Sequence, residues 1–274
     1  MKRKEFIIIA ILLLFSFAAI TYFKRSGNGF VANTQAQATA RDSVQAFWNF
    51  YNKATDLRIS GKTDSSIKYY LKSISLNPAH QDAIYYLGID YKKENNFKMV
   101  EESWQKLIAL NPRSERAYNQ LGNLYFSQGN KQYFNLQKAK AFFKKANELN
   151  KESFSPNLNL AEIALLENST NEATTMFKKL SVTDQKNPEI VFLLGYLEWK
   201  KGKLDDASDC LDKTFKLYKN ATPQKISAEQ DQDGNIFTSW TNNRLKHLEK
   251  PVKLQIYQDF DQFFNRTQLE LNNK

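Results

Sequence analysis

Residues 81–112 read QDAIYYLGIDYKKENNFKMVEESWQKLIALNP, and this stretch decides the fold. Apolar residues recur at helical spacing in both of its halves: Ile84, Leu87 and Tyr91, then Val100, Trp104 and Leu107. A polar turn separates the halves, and a proline closes the stretch where a helix cannot continue. The pattern predicts two short helices, each with one apolar stripe, which need neighbouring helices to bury both stripes.

The same pattern recurs along the chain with a nearly fixed period. A small residue follows the first apolar stripe in steps of 34, 34, 39 and 34 residues, at Ala54, Gly88, Gly122, Ala161 and Gly195. A large residue of the second helix forms an independent series with steps of 34, 39, 34 and 34 residues, at Tyr70, Trp104, Phe143, Phe177 and Leu211. Because the two series stay in phase, the sequence predicts about five stacked helix pairs.

This period and these residue types resemble the tetratricopeptide repeat (TPR) family. Leu87-Gly88 with Tyr91 and Leu121-Gly122 with Tyr125 carry the resemblance best, and it covers roughly residues 45–219. The resemblance implies an all-α solenoid of helix-turn-helix repeats. In such a repeat Gly88 and Gly122 let two helices approach closely.

The sequence departs from the family pattern at four places. Ser66 and Val100 stand where Ala is usual, and Glu198 stands where an aromatic residue is usual. The third repeat carries five extra residues, which we expect within residues 130–136.

The first 25 residues predict an uncleaved transmembrane anchor. Residues 6–23 contain no charge, and basic residues flank them on both sides. At about 1.5 Å per residue, such a helix crosses a bilayer core. A cleaved signal peptide is the alternative, but Lys24-Arg25 replaces the small-residue cleavage site that it needs. The charge balance favours a cytoplasmic N-terminus and a periplasmic or otherwise extracytoplasmic repeat domain.

The remaining boundaries follow from composition. Residues 26–42 predict a flexible tether, residues 43–219 the TPR solenoid, and residues 220–274 a linker followed by C-terminal capping helices. An apolar face runs along the end of the chain through Val252, Ile256, Tyr257, Phe260, Phe263 and Phe264. We expect this face to cap the last repeat. The alternative is a partner or self-association surface around Phe260 and Phe264.

Composition bounds the function classes. The net charge is +10, but residues 1–25 contribute +4 of it, and the remaining basic residues are scattered rather than gathered in a nucleic-acid-binding stripe. One cysteine excludes an intramolecular disulfide, and the two histidines lack metal-ligand spacing. We therefore predict no nucleic-acid binding, no cofactor or metal, no catalytic residues and no enzyme.

The resemblance also implies where a partner binds. In the family, the inner surface is built mostly by the first helix of each pair. The corresponding positions form the predicted groove: Tyr85, Lys92, Arg116, Asn119, Asn123, Phe192, Tyr196 and Trp199. Asn119 and Asn123, one helical turn apart, are expected to bind the backbone of an extended peptide without filling the core. The alternative is that these side chains simply solvate or pack the inner wall.

These features predict a membrane-anchored scaffold that binds a protein or peptide partner in envelope assembly, secretion or chaperone complexes. Two alternatives keep the repeats: a cytosol-facing receptor on a membrane surface, and a non-catalytic regulatory subunit of a membrane enzyme complex. The fold alone does not distinguish among these three functions or identify the partner.

Overall fold

The computed structural model describes residues 41–128, 131–219, 255–256, 258–260 and 262–263. Helix α1 covers residues 41–59. The helices that follow are α2 (Thr63–Leu76), α3 (Gln81–Lys93), α4 (Phe97–Leu110), α5 (Glu115–Asn123), a π-helix (Leu124–Gln128), α6 (Leu136–Leu149), α7 (Phe154–Leu166), α8 (Thr170–Thr183), α9 (Pro188–Lys200) and α10 (Leu204–Lys219). These residues contain no β-strand, so the predicted all-α fold of helix pairs is confirmed.

Several predictions concern other parts of the chain. The predicted anchor (1–25), nearly all of the tether and the linker over 220–254 lie outside the described residues. Among the helices that are described, none combines the length and apolar character that a membrane crossing requires.

Apart from the third pair, short polar turns separate the two helices of each described pair. Four of these turns contain a residue with positive φ at the same place in the repeat: Gly61, Asn95, Asn168 and Gly202. Glycine and asparagine tolerate this left-handed conformation better than other residues, and it ends the first helix sharply. Asparagine also begins helices, since the side chains of Asn96 and Asn135 accept hydrogen bonds from backbone amides of α4 and α6.

The chain divides into two compact units, here called the N-terminal unit (Met1–Asp90) and the C-terminal unit (Tyr91–Lys274). In the N-terminal unit, the Ser66 hydroxyl lies 2.8 Å from the backbone oxygen of Ala54 and 2.6 Å from the carboxylate of Asp90. All three residues are fully buried. Serine replaces the usual alanine here because it offers a hydroxyl group to a buried carboxylate.

In the C-terminal unit, helices α4 to α10 pack against one another in chain order. Gly122 of α5 lies directly against Phe143 of α6, and Gly195 of α9 lies against Cys210 of α10. The close contact predicted for Gly122 is therefore present. Gly88 is buried, but its predicted helix contact stays a prediction.

The longer third repeat departs from its neighbours before the predicted insertion. Helix α5 continues as the π-helix, and α6 begins only at Leu136. The connection folds back on the π-helix, because Asn135 donates a backbone hydrogen bond of 2.8 Å to Tyr125. The Tyr125 hydroxyl in turn donates to the carboxylate of Glu101 on α4. The π-helix thus accommodates part of the five-residue insertion of the third repeat, and Tyr125 stays in the core.

Candidate functional site

Polar side chains link two successive first helices of the C-terminal unit, α5 and α7. Asn119 donates to the Ser155 hydroxyl at 3.3 Å, and Asn159 donates to the Asn123 side-chain oxygen at 3.3 Å. Asn159 also lies 2.9 Å from the backbone oxygen of Ser155. We call these four residues the amide ladder. It joins two repeats across 36 residues of sequence.

The ladder corrects one expectation from the sequence. Asn123 is 9% exposed and Asn159 is 3% exposed, so Asn123 belongs to the packed interface between α5 and α7. The expectation that neither predicted amide fills the core is therefore wrong for Asn123, and its role in partner binding stays a prediction. Asn119 is half-buried and keeps part of its surface open. No local sequence pattern indicates this interface, because its partners lie 36 residues apart.

The other predicted positions near these helices are partly exposed. Arg116 is half-buried on α5, three residues before Asn119 and on the same side of the helix. Lys92 is half-buried in the last turn of α3, and burial lowers the pKa of its ammonium group. Tyr85 belongs to the N-terminal unit, where it is half-buried with its ring 5.4 Å from that of Tyr86.

The predicted positions on α9 lie together, and the chain itself covers them. We call Phe192, Tyr196 and Trp199 the α9 face, and the described residues between 255 and 263 the C-terminal segment. The Phe260 ring lies 5.3 Å from that of Phe192 and 4.6 Å from that of Tyr196. Phe192 and Tyr196 are consequently only 1% and 2% exposed. In this arrangement they are not open groove residues.

Polar contacts accompany the apolar ones. The Tyr196 hydroxyl donates to the carboxylate of Asp259 at 2.9 Å, and the Lys200 ammonium lies 3.3 Å from the same carboxylate. Burial, together with the negative charge of Asp259, raises the pKa of Tyr196, so the hydroxyl remains a donor. Lys200 also donates to the Asn168 side chain at 2.9 Å. The α9 face therefore offers the Tyr196 hydroxyl as a donor within an aromatic surface, and the Lys200 ammonium group lies beside it.

The C-terminal segment presents its own apolar stripe to this face. Ile256, Phe260 and Phe263 are all buried, at a spacing of four and three residues. Phe260 thus packs inside the C-terminal unit, whereas Phe264, the other residue of the predicted tail interface, lies outside the described residues. This packing is what the capping interpretation expects of the segment.

A cavity of about 450 Å³ remains where the segment meets the end of α7. Leu165 and Leu166 line one side of it, and Ile256 and Asp259 line the other. The segment therefore covers the first-helix surface without filling all of the space against it.

Glu198 has a different role, which sequence reasoning missed. Its side chain is 2% exposed, and its carboxylate lies 2.7 Å from the Lys178 ammonium. Lys201 and Lys203 lie 3.7 Å and 3.9 Å from the same group. Burial raises the pKa of Glu198, but the hydrogen bond and charge of Lys178, with the charges of the other two lysines, outweigh burial and lower it. A buried ion pair thus replaces the usual aromatic residue.

Other reactive groups are few in the described ranges. No group of three or more His, Cys, Asp or Glu side chains there is arranged to hold a metal ion. Burial raises the pKa of the Cys210 thiol to about 11, so this cysteine stays protonated at neutral pH.

Stacked two-helix units, with a small residue at the helix contacts of Gly122 and Gly195, define an all-α repeat protein. A family model described as "Tetratricopeptide repeat" matches residues 49–80 and 115–153. The two matched segments are tetratricopeptide repeats, and the resemblance of the sequence to this family is confirmed.

Known proteins with similar sequence or fold extend this comparison. The anaphase-promoting complex subunit CDC16 of Saccharomyces cerevisiae is 27% identical over 169 residues, which is 59% of this chain and 20% of that protein. The chain thus spans about a fifth of the length of this curated relative.

Two solved structures share the fold. PilF of Pseudomonas aeruginosa is 18% identical with a TM-score of 0.54, covering 79% of this chain and 98% of that one. YrrB, described as a TPR protein with an unusual peptide-binding site, is 18% identical with a TM-score of 0.52, covering 62% and 86%. At these identities the likeness shows the fold alone.

Proposed function

We propose that this chain is a membrane-anchored scaffold that binds a protein or peptide partner through the first helices of its C-terminal unit. One observation carries the proposal: the α9 face already holds a polypeptide segment, through aromatic contacts and the Tyr196–Asp259 hydrogen bond. A surface that binds its own chain in this way has the chemistry to bind another.

The first-helix surface of α5 supports the same proposal. Arg116 and Asn119 are half-buried there, while packing is supplied by Leu121 and Gly122. An arginine and an amide can bind a partner's backbone or carboxylate groups. The peptide-binding site that the description of YrrB names, on a protein of the same fold, is in keeping with this use of the repeats.

The anchor and its orientation are part of the proposal and rest on the sequence. The uncharged run of residues 6–23, with basic residues on both sides, attaches the repeats to a membrane. The charge balance directs the repeats out of the cytoplasm. There the scaffold serves envelope assembly, secretion or chaperone complexes.

Site-specific crosslinking in cells tests the binding surface. A photo-reactive residue replaces Arg116 on α5 or, as a matched control, the exposed Lys144 on the second helix α6. We expect a specific adduct from position 116 and none from position 144. Adducts only from position 144, in chains of equal abundance, contradict the proposed surface.

A further inference from the structure

We infer that the C-terminal segment is a displaceable occupant of the α9 face, and that this face binds an amphipathic helix of a partner protein. The partner helix carries apolar residues at the spacing of Ile256, Phe260 and Phe263 and a carboxylate at the place of Asp259. This inference rests on the proposed function and specifies the partner's chemistry.

The apolar requirement follows from the ring contacts. Phe260 meets Tyr196 edge-on at a ring distance of 4.6 Å, and Phe263 lies 5.3 Å from Phe192 and 6.0 Å from Trp199. One helix face therefore supplies aromatic groups to three residues of α9 that are spaced along a helix. A partner helix needs large apolar residues at the same spacing to bury these rings.

The acidic requirement follows from the polar groups beside the rings. The Tyr196 hydroxyl and the Lys200 ammonium both point to the Asp259 carboxylate. Without a carboxylate, the buried Tyr196 hydroxyl would lose its acceptor. A basic residue at that place would also oppose Lys200. The surface thus selects an acidic residue directly before the central aromatic one.

Two physical features favour displacement of the segment. Among the described residues, a cavity of about 450 Å³ lies between the segment and Leu165 and Leu166, so a partner helix with a larger side chain there gains contacts. An intramolecular segment competes at an effective concentration on the order of 1 mM. A segment with an intrinsic Kd of about 10 µM would then weaken a partner's apparent affinity roughly 100-fold, so the segment regulates the face without closing it permanently.

A peptide-binding titration tests this inference on the full chain in detergent. The probe is a fluorescein-labelled peptide with the sequence of residues 251–271. The chain variant Phe260→Ser weakens the attached segment and leaves the α9 face unchanged. The matched control is Gln258→Ser, because Gln258 is exposed on the same segment. We expect Phe260→Ser to bind the peptide at least 10-fold more tightly than the native chain, with Gln258→Ser within twofold of native.

The acidic requirement is tested in the Phe260→Ser chain. A peptide with Asp259→Lys should bind at least 10-fold more weakly, and Lys200→Glu in the chain should restore part of that loss. If Phe260→Ser perturbs helicity, the variant Asp259→Ala replaces it, since it removes polar contacts without exposing the aromatic core. Its expected gain in peptide affinity is about fivefold, from the loss of one charge-assisted hydrogen bond.

Two results would overturn the inference. If the native chain and the Phe260→Ser chain bind the peptide with equal affinity and retain their helicity, the segment is a permanent cap. The native chain could instead form concentration-dependent dimers that dissociate when the peptide is added. That result would mean that the α9 face binds a second copy of this chain. Either result leaves the adduct expected at position 116 unaffected, so the proposed function is judged separately.

Discussion

A β-carbon on Gly122 would lie 2.5 Å from Cε1 of Phe143, whose side chain is completely buried. Atoms do not approach this closely without a shift of one of them, and the Phe143 ring packs in the core cluster with Phe126 and Leu160. The approach of α5 to α6 therefore depends on the absence of a side chain at position 122.

The first prediction is that Gly122→Ala lowers the free energy of unfolding by about 1–3 kcal/mol through overpacking. The loss occurs although alanine favours a helix over glycine by about 0.5–1 kcal/mol. Denaturant unfolding monitored by circular dichroism measures it, with the exposed position Lys144→Ala as control. Partial recovery in Gly122→Ala/Phe143→Leu assigns the loss to this contact. An unchanged midpoint for Gly122→Ala refutes the assignment.

The second prediction concerns Glu198 and pH. The lysines lower its pKa in the folded chain below the ordinary value of about 4.3. The ion pairs therefore stabilise the fold fully above that value, and this stabilisation is lost as the pH falls through the lower, folded pKa. We expect Glu198→Gln to cost about 1–3 kcal/mol at pH 7. The difference from the native chain should become smaller between pH 7 and pH 3.

Thermal melts at both pH values measure this effect. The control is Glu148→Gln, because Glu148 pairs with Lys145 at 2.9 Å on an exposed surface. Solvent screens such an exposed pair, so it contributes little to stability. Equal losses of unfolding free energy for Glu198→Gln and Glu148→Gln at pH 7 would show that the buried Glu198 pairs stabilise the fold no more than an exposed pair does.

The third prediction separates the two predicted amides. Asn123→Ala removes one acceptor of the buried Asn159 amide, which also donates to the Ser155 backbone oxygen, so it should cost about 1–3 kcal/mol of stability. Asn119→Ala should cost less than about 1 kcal/mol, because Asn119 is half-buried and water can replace its partner. A double-mutant cycle between Asn123 and Asn159 measures the coupling. Equal losses for the two single variants, with no coupling in the cycle, would remove the structural role assigned to Asn123.

The fourth prediction concerns topology. If residues 6–23 cross the membrane with the N-terminus in the cytoplasm, a reporter active only in the cytoplasm should be silent when fused after Lys274. The control is the same fusion to a chain that lacks residues 1–25, which should show activity. Strong activity of the anchored fusion would reverse the orientation and favour the cytosol-facing receptor.

The repeats could be predicted from the sequence because their determinants are local and periodic. A small residue such as Gly122 and a large one such as Phe143 recur in phase, so each helix pair can be recognised from its own sequence. The position of the C-terminal segment could not be predicted in this way. The contact between Tyr196 and Asp259 joins residues 63 apart, outside any repeat, and no period encodes it.

The same reasoning explains why the burial of individual site residues could not be predicted from the sequence. The family pattern places Phe192, Tyr196 and Asn123 on the first-helix surface, but it does not say what covers them. Phe192 and Tyr196 are covered by a non-repeated segment, and Asn123 is covered by the neighbouring repeat through Asn159. Burial at these positions depends on tertiary partners rather than on helical spacing.

The central claim is that first helices of the C-terminal unit form the binding surface, and cysteine alkylation tests it most directly. Arg116→Cys on α5 and Lys144→Cys on α6 are made separately in a Cys210→Ala chain, which keeps the β-carbon that packs on Gly195. The alkylation rates are measured with and without the partner recovered by crosslinking. We predict that saturating partner slows alkylation at position 116 at least 10-fold and leaves position 144 within twofold. Protection of position 144 with no change at position 116 would contradict the account.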